Sequence, residues 1–564
     1  MNNHEKKITK LNQKWHNIDW NKTSKYVSKL QKELVVAYNN NDQKLLFFLQ
    51  EKLMMSFEGR ALAVRRIVSN DGKKTPGFDK IVWNSPSAKF QAIVQLREIL
   101  TLRSGQYQAG PVYRTWIPKE QSDELRPLGI PNMIDRSLQA LVLMCLDPIV
   151  EEVSDTYSFG FRKYRSTGNA IRRIRTILDK SNGPKWVWDV DIEKCFDKIS
   201  HDFLMKEIDF LTNPKAKEYV LKWLKAPIID KGSKTYPNEG TPQGGILSPL
   251  LCNIALNGLE NAVRVGLPSP NSSEGRKISG SWTIRYADDF IVTSPCKERL
   301  VEDHIPRVIS FLRERGLNIS KKKSRILNLE NEGFTFLGWE IMLRNRNLKK
   351  NKYKPNKKVL IIRPSKMSIK RFKKRIKEKF RSNQPMKALI SDLNPILRGW
   401  TNYYRDSYHS QEVFQSIGHY VYQLWWKWAQ KKHPNRNKNW IYTRYIFKTE
   451  KSSWRIGESE KIMLFDVVQA KQLKIMNLRN NVNPYVDEDY YIHRTVIRDS
   501  ERFRASIYKK YHFRCYVCGQ ALYGTEDIHL HHLIPRKDGG KYTLNNIVPV
   551  HATCHESITY TRKD

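Results

Sequence analysis

Two short stretches of the chain set aspartates among residues that favour β-structure. In Trp282-Thr-Ile-Arg-Tyr286-Ala287-Asp288-Asp289-Phe290-Ile-Val-Thr293, apolar and aromatic runs flank Ala-Asp-Asp, a pattern that predicts a hairpin with carboxylates at its tip. Asp also suits turns for its own reasons, so the pair gains meaning from a second acidic strand end. In Trp186-Val-Trp188-Asp189-Val190-Asp191-Ile192, alternation puts Trp188, Val190 and Ile192 on one face and Asp189 with Asp191 on the other. Adjacent strand tips would bring Asp191 and Asp288 together. Carboxylates gathered this way repel unless divalent cations lie between them, and paired cations ~3.5 to 4 Å apart support in-line displacement at phosphorus. The chemistry expected is nucleotidyl transfer. Phe196, shortly after Asp191, is either core or a ring under the incoming sugar that would exclude a 2′-hydroxyl.

A second constellation closes the chain. Cys515-Tyr-Val-Cys518 and His551-Ala-Thr-Cys554 are two ligand pairs of the spacing that surrounds one Zn2+, and three Cys with one His is an accepted set. A module of about 60 residues needs such a staple. Between and after the pairs stand Ile528-His529-Leu530-His531-His532-Leu533-Ile534-Pro535, Asn545-Asn546 and His555. A purely structural zinc ribbon requires neither adjacent histidines nor His555. His529 is an alternative metal ligand, although its alternation with His531 also fits a plain strand face.

Positioning two such centres takes several domains. At ~100 to 200 residues each, 564 residues make three to five. The net charge is +42, beyond what solubility requires, which points to a polyanionic partner and away from a free-standing metabolic enzyme. Hydrophobic residues at 40% and aromatics at 11% exclude a disordered basic tail. The seven cysteines form no evident disulfide framework, which indicates a reducing compartment. The first twenty residues lack a secretory signal, and the most apolar stretch, 140–150, is interrupted by Asp147. No membrane span is expected, and the location expected is bacterial cytoplasm or an organellar matrix or stroma, not the exterior.

Residues 1 to about 85 read as helical and basic, ending in the turn-rich stretch 72–77, and a mixed α/β region runs from there to about 340. From Arg344 to Arg381 there are eighteen Lys or Arg against one acid, Glu378. Within that run Ile369, Phe372, Ile376 and Phe380 recur at helical spacing, with Ser368 as the expected cap. From 385 to 430, Trp400, Tyr403, Tyr404, Tyr422, Trp425, Trp426 and Trp428 lie among Arg398, Arg405 and Lys427. The more buried of these rings are expected in the core and the rest near nucleic acid.

With these residues in view, the chain resembles reverse transcriptases through Tyr286-Ala287-Asp288-Asp289 and Asp191-Ile-Glu-Lys-Cys-Phe196. More closely, it resembles mobile group II intron-encoded proteins, which combine a reverse transcriptase, a splicing maturase and a DNA endonuclease. Further blocks match in order: Thr75-Pro76-Gly77-Phe78-Asp79, Arg126-Pro-Leu-Gly-Ile-Pro131, Ser158-Phe-Gly-Phe-Arg162, Thr241-Pro-Gln243-Gly244-Gly245, Leu247-Ser-Pro-Leu-Leu, Lys323-Ser324 and Phe336-Leu-Gly338-Trp339. The resemblance implies a right-hand polymerase of fingers, palm and thumb, with catalytic Asp191, Asp288 and Asp289 holding Mg2+. It implies Gln243 and Phe196 in the nucleotide pocket. Arg126 suits a triphosphate by its bidentate geometry, with Lys323 and Lys119 as weaker candidates. Gly244 and Gly245 would clear space for a template-primer, and Ser248-Pro249 would cap and start an apolar helix.

Leu393-Asn-Pro-Ile-Leu-Arg398-Gly399-Trp400-Thr-Asn402-Tyr403-Tyr404 resembles the helical maturase domain, also called domain X, with Pro395 and Gly399 readable as turn residues. The C-terminal end resembles an HNH endonuclease of the ββα-metal type, departing from it in His551, which stands where that family commonly has Cys. That likeness implies His532 as general base, Asn546 orienting its strand, His531 and His555 on a nuclease divalent ion, and Cys515, Cys518, His551 and Cys554 on structural Zn2+. The implied domains are 1–85 (N-terminal extension), 86–340 (fingers and palm), 341–435 (thumb and domain X), 436–500 (DNA-binding region) and 501–564 (endonuclease). Group II intron RNA, target DNA and dNTPs are the implied partners, and target-primed retrohoming the implied cycle. The rival readings are a splicing maturase with an idle polymerase and a reverse transcriptase of a defence or diversity-generating element.

Overall fold

The computed structural model describes residues 3–118, 125–180, 183–267, 280–345, 358–381, 383–407, 409–449, 452–460, 462–470, 477–491, 502–522, 528–552, 554–555 and 558. Lys119 and the basic run 346–357 lie outside them. Helices α1 (Asn3–His16), α2 (Trp20–Asn39), α3 (Gln43–Met55) and α4 (Phe57–Ser69) open the chain. Short polar side chains start three of them: Asp19, Asp42 and Ser56 accept the backbone N–H of Lys22, Leu45 and Gly59, each at 2.9 Å. With α5 (Pro86–Thr101), helices α2, α3 and α4 pack around α6 (Met133–Val153), and α1 lies against α5. Buried side chains surround α6 on almost every side, as a helix at the centre of a large core requires. Arg136 of α6 donates to the carbonyls of Gly72 (3.3 Å), Thr75 (2.8 Å) and Pro131 (2.7 Å), which fastens the turn-rich stretch 72–77 to the block.

Strands β1 (Val112–Pro118), β2 (Leu125–Ile130), β4 (Ile228–Asp230) and β5 (Ser233–Thr235) form one sheet in the order β2-β1-β4-β5. The sheet that matters most is built from β3 (Trp186–Asp191), β6 (Trp282–Tyr286), β7 (Asp289–Ser294) and β8 (Arg325–Asn328), antiparallel throughout in the order β6-β7-β3-β8. Both faces are covered. Trp188, Val190, Phe290 and Val292 join the core shared with α6 and the N-terminal helices. Val187, Ile284, Ile291 and Leu327 join a second core. That core also takes in α7 (Thr167–Leu178), the sheet β11-β10-β9 and the helices Lys366–Phe380, Met386–Tyr404 and Ser410–Lys432. Here β9 is Phe334–Phe336, β10 Trp339–Asn345 and β11 Lys358–Pro364. A three-stranded sheet follows from β12 (Ile446–Thr449), β13 (Ser452–Ser459) and β14 (Ile462–Met463), and the antiparallel pair β15 (Ile528–His532) and β16 (Ile547–His551) lies near the C-terminal end. Among the described residues no helix is long and apolar enough to cross a membrane.

Three local expectations are corrected. Helix Lys366–Phe380 is capped by Ser365, whose hydroxyl accepts the Ser368 N–H at 3.2 Å; Ser368 is inside the helix. Its apolar stripe, Phe372, Ile376 and Phe380, is buried as the spacing predicts. Leu247, not Ser248, is the N-cap of helix Ser248–Ala255, and it makes no side-chain capping bond. The Ser248 hydroxyl donates to the Pro242 carbonyl at 2.7 Å and ties down the loop before the helix. Pro395 and Gly399 are not turn residues but sit within helix Met386–Tyr404. The buried side of that helix, Leu389, Ile390, Leu393 and Leu397, holds it in the core through both positions.

Candidate functional site

The hairpin and the acidic strand meet end to end. Asp289 pairs with Tyr286 across the hairpin and with Asp191 across to β3. Ala287 takes the turn with φ of 60°. Four carboxylates therefore gather at one end of the central sheet. Burial, with Asp189, Asp288 and Asp191 adding their repulsion, pushes Asp289 up to about 8. Burial also raises Asp288, Asp191 adds to the shift, and Arg126 and Arg285 oppose it. Lys323 reaches Asp191 at 3.3 Å, while Arg325 engages Asp189 at 3.5 Å. An all-oxygen cluster that must hold a proton to relieve its own repulsion fits a hard divalent cation.

The turn that presents these groups is supported from behind by residues that sequence reading missed. Arg285, buried on β6, donates to the Ala287 carbonyl at 3.1 Å and to Asn253 Oδ1 at 3.0 Å. Asn253 passes the link on, donating to the Gly160 carbonyl at 3.0 Å. Gly160 lies so close to the turn that a Cβ there would come within 2.3 Å of the Ala287 amide nitrogen, so only glycine fits. Of this set, the sequence placed Arg285 in the hairpin stretch and Gly160 in the Ser158–Arg162 block, with no sign that the two meet.

Around the carboxylates stand the other sequence-predicted residues. Phe196 is half-buried on α8 (Cys195–Lys198), edge-on to Phe161 at 6.3 Å. The 241–244 loop bridges Phe196 to β2: the Thr241 N–H donates to the Phe196 carbonyl, and the Gly129 N–H to the Gln243 carbonyl, both at 2.6 Å. Gln243 and Arg126 are thereby joined through one strand and loop. Gly244 has φ of 116°, and a Cβ there would meet the Gly129 carbonyl at 2.6 Å, so its glycine is required by the fold itself. Lys119 falls outside the described residues.

The C-terminal centre divides in two. The ligand atoms of Cys515, Cys518, His551 and Cys554 all lie within 4.8 Å of one another, and all four residues are buried. His551 Nε2 is 3.1 Å from the Ala521 carbonyl, while Nδ1 faces Cys518 Sγ at 3.3 Å. The ring is thus oriented with one nitrogen directed at the sulfurs. Hydrogen bonds with Cys518 and Cys554 hold the Cys515 thiol well below its ordinary range. A four-donor set of three sulfurs and one imidazole nitrogen fits Zn2+.

The histidine cluster lies on β15 beside it. His531 and His529, on one face, approach His555 with ring centroids 5.0 and 5.2 Å away. His532, on the alternate face, packs against Tyr542 at 5.7 Å and receives a long bond from Arg536 Nε at 3.4 Å. Asn546 clamps the segment after the strand: its Oδ1 accepts from the Ile534 N–H at 2.7 Å, and its Nδ2 donates to the carbonyls of Ile534 and Lys541 at 3.0 Å each.

Comparisons with known proteins follow the same order along the chain. Residues 15–96 match the N-terminal domain of reverse transcriptase, 117–341 the reverse transcriptase (RNA-dependent DNA polymerase) family, 369–446 the group II intron maturase-specific domain, and 515–561 the HNH endonuclease family. Protein YkfC of Escherichia coli (strain K12) is 30% identical over 344 residues, 56% of this chain and 88% of the relative. Group II intron-encoded protein LtrA of Lactococcus lactis subsp. cremoris is 26% identical over 501 residues, 75% of this chain and 80% of the relative. Maturase-like protein 1 of Euglena gracilis is 25% identical over 403 residues, 70% and 78% of the two chains.

Proposed function

The chain belongs to the multifunctional group II intron-encoded proteins, with reverse transcriptase, maturase and HNH endonuclease domains, and on that premise we propose that it copies its intron into DNA by target-primed retrohoming. The observation that carries the polymerase reading is the register of Asp191 against Asp289, with Lys323 on the first of them. In this reading the central sheet is the palm, β1 and β2 belong to the fingers, and the helices from Lys366 onward form the thumb and domain X. The divisions proposed are 1–85, 86–340, 341–435, 436–500 and 501–564.

Asp191, Asp288 and Asp289 would hold Mg2+, which supplies charge neutralisation as the primer 3′-hydroxyl displaces pyrophosphate from the α-phosphorus. Arg126 binds the triphosphate by two parallel N–H bonds, and Lys323 shifts from Asp191 to a phosphate oxygen. Phe196, backed by Phe161, closes the space where a 2′-hydroxyl would lie, and Gln243 lines the same pocket. The basic and aromatic surface from 366 to 445 grips folded intron RNA, whose own chemistry performs splicing.

At the C-terminal end, His532 is the general base that takes the proton from water. Arg536 Nε lies 3.4 Å from His532 Nε2 and gives up that contact when the nitrogen takes a proton. Asn546 fixes the backbone just beyond it. His531 and His555 would hold the nuclease cation, with His529 a third candidate. Cys515, Cys518, His551 and Cys554 would hold structural Zn2+. The nicked DNA strand then offers its 3′-hydroxyl to the polymerase site. A bacterial cytoplasm or an organellar interior is the compartment proposed.

The test is a pair of variants in the full chain, assembled with the RNA transcribed from around its reading frame. Asp288→Ala abolishes primer extension but keeps RNA binding, assisted splicing and DNA nicking. His532→Ala abolishes nicking and keeps the other three. Loss of extension in the His532 variant, or persistent nicking by it, overturns the assignment of a self-contained nuclease.

A further inference from the structure

Arg65 belongs to α4, yet its guanidinium ends at the C-terminal cysteines, which follow it by 453 and 489 residues. Its Nη2 donates to Cys554 Sγ at 2.8 Å and reaches Cys518 Sγ at 3.8 Å. The residue is 4% exposed. Its charged plane lies over the Trp20 ring, 4.8 Å from the centroid. At the neighbouring helix α2, a Cβ on Gly519 would come within 2.4 Å of Asn21 Oδ1, so the first cysteine knuckle rests directly on the N-terminal block. The apolar contact continues around it, with Ile507, Phe513 and Leu522 in the same core as Trp20 and Val64.

Charge explains why a cation is buried there. Three thiolates and a neutral imidazole around a dication leave one net negative charge, and a buried charge without a partner is strongly unfavourable. A buried guanidinium has the same problem with the opposite sign. Each solves the other's, and metal-bound thiolates keep lone pairs to accept the N–H bonds. Arginine suits the position better than lysine because its planar guanidinium stacks on the Trp20 indole while one of its nitrogens, Nη2, reaches both sulfurs. His551 in place of a fourth thiolate reduces the site's net charge to the single unit that one arginine neutralises.

We propose that Arg65 is the counter-cation of the Cys515–Cys518–His551–Cys554 metal site, and that the loaded site latches the nuclease module onto the N-terminal helices. This rests on reading those four residues as a zinc site. Arg65 acts through the cysteines and is a positioning residue; it touches no substrate. The consequence is coupling between the two ends of the chain: removing the metal loosens α4, and removing the arginine loosens the metal.

Zinc content, zinc release to a colorimetric chelator and backbone hydrogen exchange, measured on the full chain, test this. Wild type should carry one zinc. Arg65→Met should release it about tenfold faster or more, the usual scale for losing a partner of a ligand, and exchange should rise in both Phe57–Ser69 and 513–522. Arg65→Lys, which keeps the charge but not the fork, should fall between. Primer extension should be unchanged in both, since Arg65 lies on α4 and the carboxylates at the end of the central sheet. Wild type needs no substitution for the second arm: stripping its metal should raise exchange in α4 as well as in the knuckle. A response confined to the knuckle, or release from Arg65→Met at the wild-type rate, overturns the latch while leaving the zinc site standing. A wild type that carries no zinc overturns the site and the latch together.

Discussion

Asp289 sits among three other carboxylates at the end of two paired strands, and its proton is the most informative one in the proposed polymerase site. Its folded-state value of about 8 stands well above the ordinary carboxylate. In the metal-free protein it contributes stability that is complete below about pH 4 and is lost as pH rises to about 8. Divalent cations bind the deprotonated form, so they must displace this proton at low pH and need not at high pH. The rise in melting temperature on adding Mg2+ should therefore be larger at about pH 8 than at about pH 6, and Asp289→Asn should remove the difference. A Mg2+ effect that shrinks as pH rises would contradict the assignment. Phe196 offers a second test at this scale. Its ring is half-buried against Phe161 and not sealed in the core, so Phe196→Ala should raise ribonucleotide over deoxynucleotide incorporation by about tenfold or more, the scale of a pocket losing a close steric contact. Identical selectivity in a competition assay would make Phe196 a packing residue.

At the scale of elements, the last tyrosines of helix Met386–Tyr404 grip a hairpin. Tyr403 donates to the Leu337 carbonyl at 2.8 Å. Tyr404 reaches the Gly338 carbonyl at 3.2 Å and the Ser368 hydroxyl at 2.7 Å, and lies 4.8 Å from the Trp339 ring. The domain X helix thus holds the turn between β9 and β10. Tyr404→Phe should cost about 1 kcal/mol in denaturant unfolding, the net worth of a typical hydrogen bond, and raise amide exchange at 336–339. The aspartate hairpin, the cysteine pairs and the stripe Phe372–Ile376–Phe380 were legible because their patterns are local. The Tyr404–Gly338 grip and the Arg285–Asn253–Gly160 support were not, since each joins segments far apart in the chain and leaves no periodic trace. The Ser365 cap was missed for a narrower reason: two serines stand three apart, and only the backbone geometry distinguishes the cap from the bonded N–H. Pro395 read as a turn because a helix-breaking residue was judged without the core that holds its helix in place.

For the whole molecule, the net charge is +42, and the described elements pack around two cores with the central sheet between them. Its family and its three domain functions were legible from the order of motifs, because each chemistry demands particular residue types at fixed spacing. How the ends of the chain meet was not: nothing in the sequence around Arg65 points to Cys554. Binding of intron RNA should weaken steeply with salt, as counterion release requires of a phosphate contact. The polymerase and nuclease should still fail independently, since the groups proposed to react in each lie on separate sheets. The central claim is that Asp191, Asp288 and Asp289 form a working nucleotidyl-transfer site, and the direct measurement is dNTP incorporation from a primer on an RNA template by wild type and Asp288→Asn, with RNA affinity determined on the same preparations. The account predicts extension by wild type, none by the variant and equal RNA affinity. Extension by the variant at the wild-type rate, or none by the wild type under the same conditions, would contradict it.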